Sequence, residues 1–514
     1  MRRLVGLGIV AAWLGGCAGP ATPEQQLIQD AAAAIGGVGE VQNVETLVVQ
    51  GDGESYWLGE APSPDANPPN FFATYARTYD WANVRFRFEE LQTPRFVTPS
   101  DSTRRVIEAL DGEVAFDTSQ FDKSTRRPDY VARTRLAQLY HHPVGILQAA
   151  LVPEATVTGL RQHENYDVVD IVTEDGAELA LYVDRQSKRP ARVESAGVHS
   201  SLGDVTLETE FAIYREFEGL SLPSRIVWRV DDEVVGEIRD ALNTINGEIP
   251  RLEAPRLVAR SSPEPPPPVF EVEDIDEGVW RIGANDYYSL LVEFSDRLLL
   301  VDIPVSEAYT LALLARAREQ VPEKPLTHVV VTHHHLDHSA GLRAAVSEGL
   351  TLLVHEPVRE AAGGGPAGGA RTRFFRGTTE YFEELVEREH TRAPDVLARE
   401  PQPLKTEKVS GEHVIEDEMR TVELYAIAES RYADTLLMVY LPGSRILYEA
   451  DVYSPPQDQL TRKEPYFPFA PNLYENIQQL ELDVERIVPA HGPIVPIATL
   501  AKAAESPFER PRVP

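Results

Sequence analysis

The densest group of metal-ligating side chains is Thr332-His333-His334-His335-Leu336-Asp337-His338-Ser339-Ala340-Gly341. It follows an apolar run, Val329-Val330-Val331, that reads as a buried strand, and it leads into Gly341 to Val346, which reads as a helix. Alternate residues of an extended segment point the same way, so His333 and His335 can face one point. Asp337 and His338 then fall where strand turns to helix, at a strand's carboxyl end, where α/β sites usually lie. His333, His335, Asp337 and His338 make a nitrogen-and-oxygen donor set suited to zinc, with iron or manganese as alternatives. An ordinary solvated loop is the competing reading. The chain has only 13 His in 514 residues, so chance does not readily produce this spacing.

The pattern His-x-His-x-Asp-His after a strand resembles the signature of the metallo-β-lactamase-fold superfamily, and the resemblance covers about residues 269–505. It implies an αββα sandwich, two sheets with helices outside, and a hydrolase that uses metal-activated water, with Asp337 as the catalytic residue. It does not choose among lactams, thioesters, phosphodiesters and sulfate esters, and some members are dioxygenases. Two later segments resemble the remaining ligand motifs. Arg445 to Asp451 is a strand ending in the place of the bridging carboxylate, and Arg486 to Gly492 carries His491 in the place of the last metal histidine. Asp302, ending another strand, matches the acidic residue that supports the site from behind, and a plain strand-end aspartate is the alternative.

The resemblance breaks at one ligand. The third histidine of the first metal site should fall at Tyr432, two residues before Asp434, and no His lies between His413 and His491. A free phenol titrates near ~10 and is a poor substitute for imidazole until it loses its proton. Arg431 beside it would oppose a cation if it faced inward. The second site, Asp337, His338, His491 and Asp451, is complete, so one bound ion is expected more than two. Three functions remain open: a metal-dependent hydrolase, a ligand-binding protein on a weakened hydrolase fold, and a mononuclear iron dioxygenase, which Tyr432 undercuts.

The elements around this site divide the chain. Met1-Arg2-Arg3, the apolar Leu4 to Leu14 and Leu14-Gly15-Gly16-Cys17 read as an export signal over residues 1–17. The last four residues resemble a bacterial lipobox that would lipidate Cys17, the only cysteine. A cleaved signal with an incidental cysteine is the alternative. Either way the expected location is the periplasm or cell envelope, with a lipid anchor on the membrane. From about 25 to 257 the pattern is mainly antiparallel β, with strands at Glu45–Val49, Val84–Phe88, Tyr166–Ile171, Leu179–Val183 and Val205–Tyr214. A helix is expected near Val144–Leu151. The layout resembles the half-barrels of lipoprotein-handling and lipid-carrying domains. His141-His142 has no acidic or thiol partner at ligand spacing and reads as a surface or core pair.

Residues 258–268, with four consecutive prolines at 265–268, read as a linker; a proline-rich recognition peptide is the alternative. The domain of 269–505 opens with strands at Gly278–Ile282, Tyr288–Phe294 and Arg297–Asp302 and a helix over Val305–Gln320. The glycine-rich 361–370 reads as a surface loop or lid, and Phe374, Phe375, Tyr381 and Phe382 as groove lining or helix core. The fold class is α+β. A net charge of −32 excludes the basic stripe that nucleic acid requires, leaving a small molecule as the expected partner.

Overall fold

The computed structural model describes residues 21–95, 103–356, 378–455 and 467–505. Cys17, the glycine-rich stretch 361–370, Phe374 and Phe375 lie outside them. Among the described residues no helix is long and apolar enough to cross a membrane.

The first unit is one antiparallel sheet of fourteen strands. It runs from an edge at Ser124–Arg126 through Arg104–Asp111, Arg85–Pro94 and Asn70–Asp80 to Thr46–Tyr56, and then from Glu233–Ile238 back to the opposite edge at Thr156–His163. The edges do not meet, so the sheet is open and no closed barrel forms. The anticipated strands are present and mostly longer; Glu45–Val49 is the start of a strand that continues to Tyr56. Alternate burial along Asn70–Asp80 shows why: one face is covered. Leu27, Ile28 and Ala31 of the helix Pro23–Ala34 and Val144, Ile146 and Leu147 of the helix Pro143–Leu151 supply that cover. Thr22 and Gln25 close a reciprocal capping box at the first helix.

His141 and His142 belong to this core. His141 bonds Thr209 Oγ1 and Ser195 Oγ, each at 2.9 Å, and His142 Nδ1 accepts the Val144 N–H at the start of the helix. Neither is placed to bind an ion with acidic neighbours.

The second unit has two sheets. A seven-stranded sheet runs in chain order from Glu271–Asp276 to Lys405–Val409, antiparallel at first and parallel from Leu298–Val301 onward. A six-stranded sheet runs from Glu412–Glu416 to Val495–Pro496. Leu299, Val301 and Val330 of one face Val422, Val439 and Ile446 of the other. Helix Glu307–Arg318 covers the outer face of the first sheet, while Ala470–Gln479 and Ile497–Ala504 cover the second. The layers are therefore α-β-β-α. Because Leu298–Val301 is buried on both faces, its sequence is an uninterrupted apolar run rather than an alternating one.

The units share a core. Leu202, Val205 and Leu207 of the first sheet pack with Ile282, Leu313 and Leu336 of the second unit. The Arg388 guanidinium reaches back to Asp231 and to the Leu202 carbonyl.

Burial holds His141 and His142 far below the ordinary imidazole value, each down to about 3. Their folded pKa lies below the unfolded one, so the fold holds the neutral form. Between about pH 6.5 and 3 the unfolded chain therefore binds protons that the folded chain refuses. Through these two groups, stability should fall with acid by up to roughly 3 kcal/mol per pH unit in that window. Urea unfolding at several pH values measures the slope, and His142→Leu should remove about half of this contribution.

Candidate metal centre

Two strand-end aspartates shape the site. Asp302 and Asp451 both take left-handed backbone angles, φ 67° and 68°. Asp tolerates this region better than most residues, and the turn aims each carboxylate inward. Gly492 has φ 88°, and a Cβ there would lie 2.1 Å from the Pro455 carbonyl oxygen, so glycine must follow His491.

The outward hydrogen bonds of the histidines fix which nitrogen faces the centre. Asp302 accepts from the Thr332 N–H at 2.8 Å, the Thr332 hydroxyl at 3.0 Å and the Tyr448 hydroxyl at 3.1 Å. It also accepts from His338 Nδ1 at 3.0 Å, which leaves His338 Nε2 bare. Since the Thr332 hydroxyl donates to Asp302, its oxygen accepts from His333 Nδ1 at 3.1 Å, and His333 Nε2 is bare as well. His491 Nδ1 donates to the Asp286 carbonyl, exposing its Nε2. His335 Nε2 donates to the Ala61 carbonyl at 2.8 Å, exposing Nδ1. His334 spends Nε2 on the same carbonyl at 2.9 Å and Nδ1 on Thr435, so it points away from the centre and holds the loop in place.

The bare atoms converge on Asp451. His338 Nε2 and His491 Nε2 stand 3.2 and 3.1 Å from Asp451 Oδ1 and 3.3 Å from each other. His333 Nε2 stands 3.3 Å from Asp451 Oδ2. Ligands on one tetrahedral zinc, with bonds near 2.0–2.1 Å, are separated by about 3.3 Å. His333 Nε2 and Asp337 Oδ1 are buried without any hydrogen-bond partner. The donors of His333, His335, Asp337 and Asp451 form one group, and those of Asp337, His338, Asp451 and His491 another. Lone pairs facing lone pairs at ligand spacing fit a divalent cation.

Charge agrees with geometry. Although burial opposes it, the Asp451 and Asp337 carboxylates hold His338 well above the ordinary imidazole range, and the Asp451 contact raises His491. Asp451 is held well below the usual carboxylate range against the pull of burial, chiefly by the charge of His338. Protons thus stand where a cation fits, and metal uptake should release them.

Tyr432 occupies the position where an imidazole was anticipated. Its hydroxyl donates to Asp451 Oδ2 at 2.8 Å and lies 3.3 Å from His335 Nδ1. Burial, then the Asp451 charge, pushes the phenol well above its ordinary value, so it stays protonated. Arg431 is exposed. Phe382 is core, and Tyr381 sets its ring edge against His334 at 5.8 Å.

Sequence reasoning did not anticipate Glu60, Ala61 or Tyr287. Tyr287 packs edge-on to His491 at 4.6 Å. Glu60 and Ala61 come from the first unit, and Glu60 Oε2 lies 3.4 Å from His335 Nδ1. Nothing in their local sequence marks them, because the loop is polar and far from the signature. Beyond that loop the first sheet holds a cavity of about 480 Å³, lined among others by Trp57, Arg77, Arg104, His141 and Trp228. Arg104 stacks over Trp57 at 4.3 Å, three residues along the chain from Glu60, so this end of the cavity lies toward that loop.

The family model described as the metallo-beta-lactamase superfamily matches residues 282–491. No curated protein matches the chain. Solved metallo-beta-lactamases of Pontibacter korlensis and Hirschia baltica are each 18% identical, with TM-score 0.32 and 46% of this chain covered, against 97% and 96% of their own. A Pseudomonas aeruginosa metallo-beta-lactamase in a mono-zinc form is 17% identical, TM-score 0.32, over 47% of this chain and 96% of its own.

Removing Asp302 should loosen His338 and leave the Thr332 N–H without its acceptor. Asp302→Ala is expected to weaken zinc binding by about 10–100-fold, read by competition with a chromogenic chelator.

Proposed function

We propose, from the metallo-beta-lactamase superfamily domain at residues 282–491, that the protein is a metal-dependent hydrolase of a small molecule, with zinc as the favoured ion. One observation carries the reading: three bare acceptors, His338 Nε2, His491 Nε2 and Asp451 Oδ1, form a triangle with edges of 3.1–3.3 Å. A bound divalent ion supplies a water whose pKa falls toward ~7 and polarises the carbonyl or phosphoryl oxygen under attack.

The remaining work falls to the chain. His338, His491 and Asp451 hold the ion, and Asp302 fixes the tautomer of His338. Asp337, whose Oδ1 has no partner within the protein, orients the attacking water and accepts its proton. Tyr432 keeps its proton on Asp451 Oδ2 and so leaves the first group, His333 and His335, one strong ligand short. The cavity of the first sheet gives the substrate's body room. Export and lipidation at Cys17 complete the proposal, supported by the basic start, the apolar run and Leu14-Gly15-Gly16-Cys17.

Protein purified without added metal should carry about one zinc per chain by elemental analysis. His338→Ala or His491→Ala should abolish both the tightly held metal and hydrolysis, whereas Tyr432→Ala should lose little metal. Absence of metal from the wild type at micromolar zinc would overturn the reading. For the address, Cys17→Ser should lose the lipid mass and move from the membrane pellet to the soluble fraction. A wild type without lipid mass, together with a variant that still pellets, would refute it.

A further inference from the structure

The cavity of about 480 Å³ in the first unit is lined from alternate positions of neighbouring strands. Phe88, Glu90 and Gln92 of Arg85–Pro94 reach it, as do Arg104 and Glu108 of Arg104–Asp111. Residues two apart on a strand share a face, so these side chains stand together over one face of the sheet. The volume is that of a small-molecule pocket. None of the metal-centre donors is among its lining residues.

Two guanidiniums in this lining lie over indoles. Arg77 sits over Trp228 at 3.5 Å, and Arg104 over Trp57 at 4.3 Å. A planar guanidinium stacked by its face directs its N–H groups outward from its edge, where they meet acceptors. Arg77 Nε is buried without a hydrogen-bond partner, and among the described residues the one ion pair of Arg77, with Glu90, is 3.7 Å long. Arg104 gives its Nε–H to the neutral Gln92 Oε1 at 2.9 Å, and among the described residues no carboxylate forms an ion pair with it. Two of the lining carboxylates are held by other guanidiniums. Arg135 pairs with Glu108 at 3.3 Å, while Arg192 and Arg229 pair with Glu208 at 3.0 and 3.4 Å. Burial works against the Arg104 charge, and the Glu90 carboxylate offsets this from beyond ion-pair distance. A cation drawn out of water without a paired anion is costly, and an oxyanion in the cavity removes that cost.

We propose that this cavity binds a small molecule with a flat apolar body and one oxyanion, a carboxylate or phosphate, received by the Arg104 fork. Phe88 and Trp228, both buried, supply the apolar wall. Arg77, with its Nε–H unspent, offers a further donor to a polar substituent. The binding site stands without the metal. That its occupant is the molecule hydrolysed rests on the metal-hydrolase reading, and the proposal gives that reading its substrate class.

The test uses the full chain, stripped of metal by a chelator, and isothermal titration calorimetry. The probes are naphthoate, naphthyl phosphate and the neutral naphthalenemethanol. One or both anions should bind the wild type one to one, at least about tenfold tighter than the alcohol. Arg104→Gln should weaken the anions by at least about tenfold and leave the alcohol unchanged. Arg104→Lys, which keeps the charge and loses the fork, should fall between. Circular dichroism checks that each variant folds, and Arg104→Lys carries the comparison if Arg104→Gln does not. Anions that fail to bind the wild type at millimolar concentration, that bind no tighter than the alcohol, or that bind Arg104→Gln like the wild type overturn the proposal, whether or not the protein holds zinc. Anion binding by a protein that takes up no zinc keeps the site and overturns the hydrolase reading alone.

Discussion

The rest of this structure depends on the Asp451 carboxylate. It is buried at 6% exposure, with three imidazole nitrogens and a phenol directed at its two oxygens. Burying a carboxylate is tolerable only with charge compensation. Among the described residues no arginine or lysine forms an ion pair with it. Each supporting hydrogen bond occupies the outward nitrogen, through Asp302 for His338, Thr332 for His333, Asp286 for His491 and Ala61 for His335, so that the inward nitrogen is the one that can give up its proton to a cation. The surroundings therefore concentrate lone pairs, and a cation is the economical way to satisfy them. The two sheets bring this about by ending Leu298–Val301, Leu326–Val331, Ile446–Glu449 and Arg486–Pro489 at one edge of the sandwich.

The same constraint explains why the two domains are not independent. A solvent-facing His335 could offer either nitrogen. The Ala61 carbonyl selects Nδ1, and that carbonyl belongs to the antiparallel sheet domain. Glu60 follows from the same loop. Packing reinforces the arrangement, since Leu202, Val205 and Leu207 share a core with the helices of the sandwich. The cavity of the first sheet is lined at one end by Tyr56, Trp57 and Arg104, next along the chain to the loop that carries Glu60 and Ala61.

Much of the sandwich was legible in the sequence because its cues are local. An apolar run followed by alternating histidines reports a buried strand ending in ligands, and the same form recurs at Asp451 and His491. Spacing from a following strand is what aligns Tyr432 with a histidine of the resembled motif, and the fold brings its hydroxyl to Asp451 and His335. Strand pattern also exposed the antiparallel first unit, though it understated the strand that runs on to Tyr56 and did not show that the large sheet stays open.

What only the tertiary structure decided is the direction of lone pairs and the arrival of distant groups. Periodicity says which face a side chain takes, not which nitrogen of a ring carries the proton; that depends on a partner such as Ala61, 274 residues from His335. Glu60 sits in an unremarkable polar loop, and no local cue separates it from other surface glutamates. Its place beside His335 comes from backbone hydrogen bonds between two domains. The sequence by itself determined the donor types, their order and the fold that gathers them; the packing of one domain on the other determined how those donors are oriented.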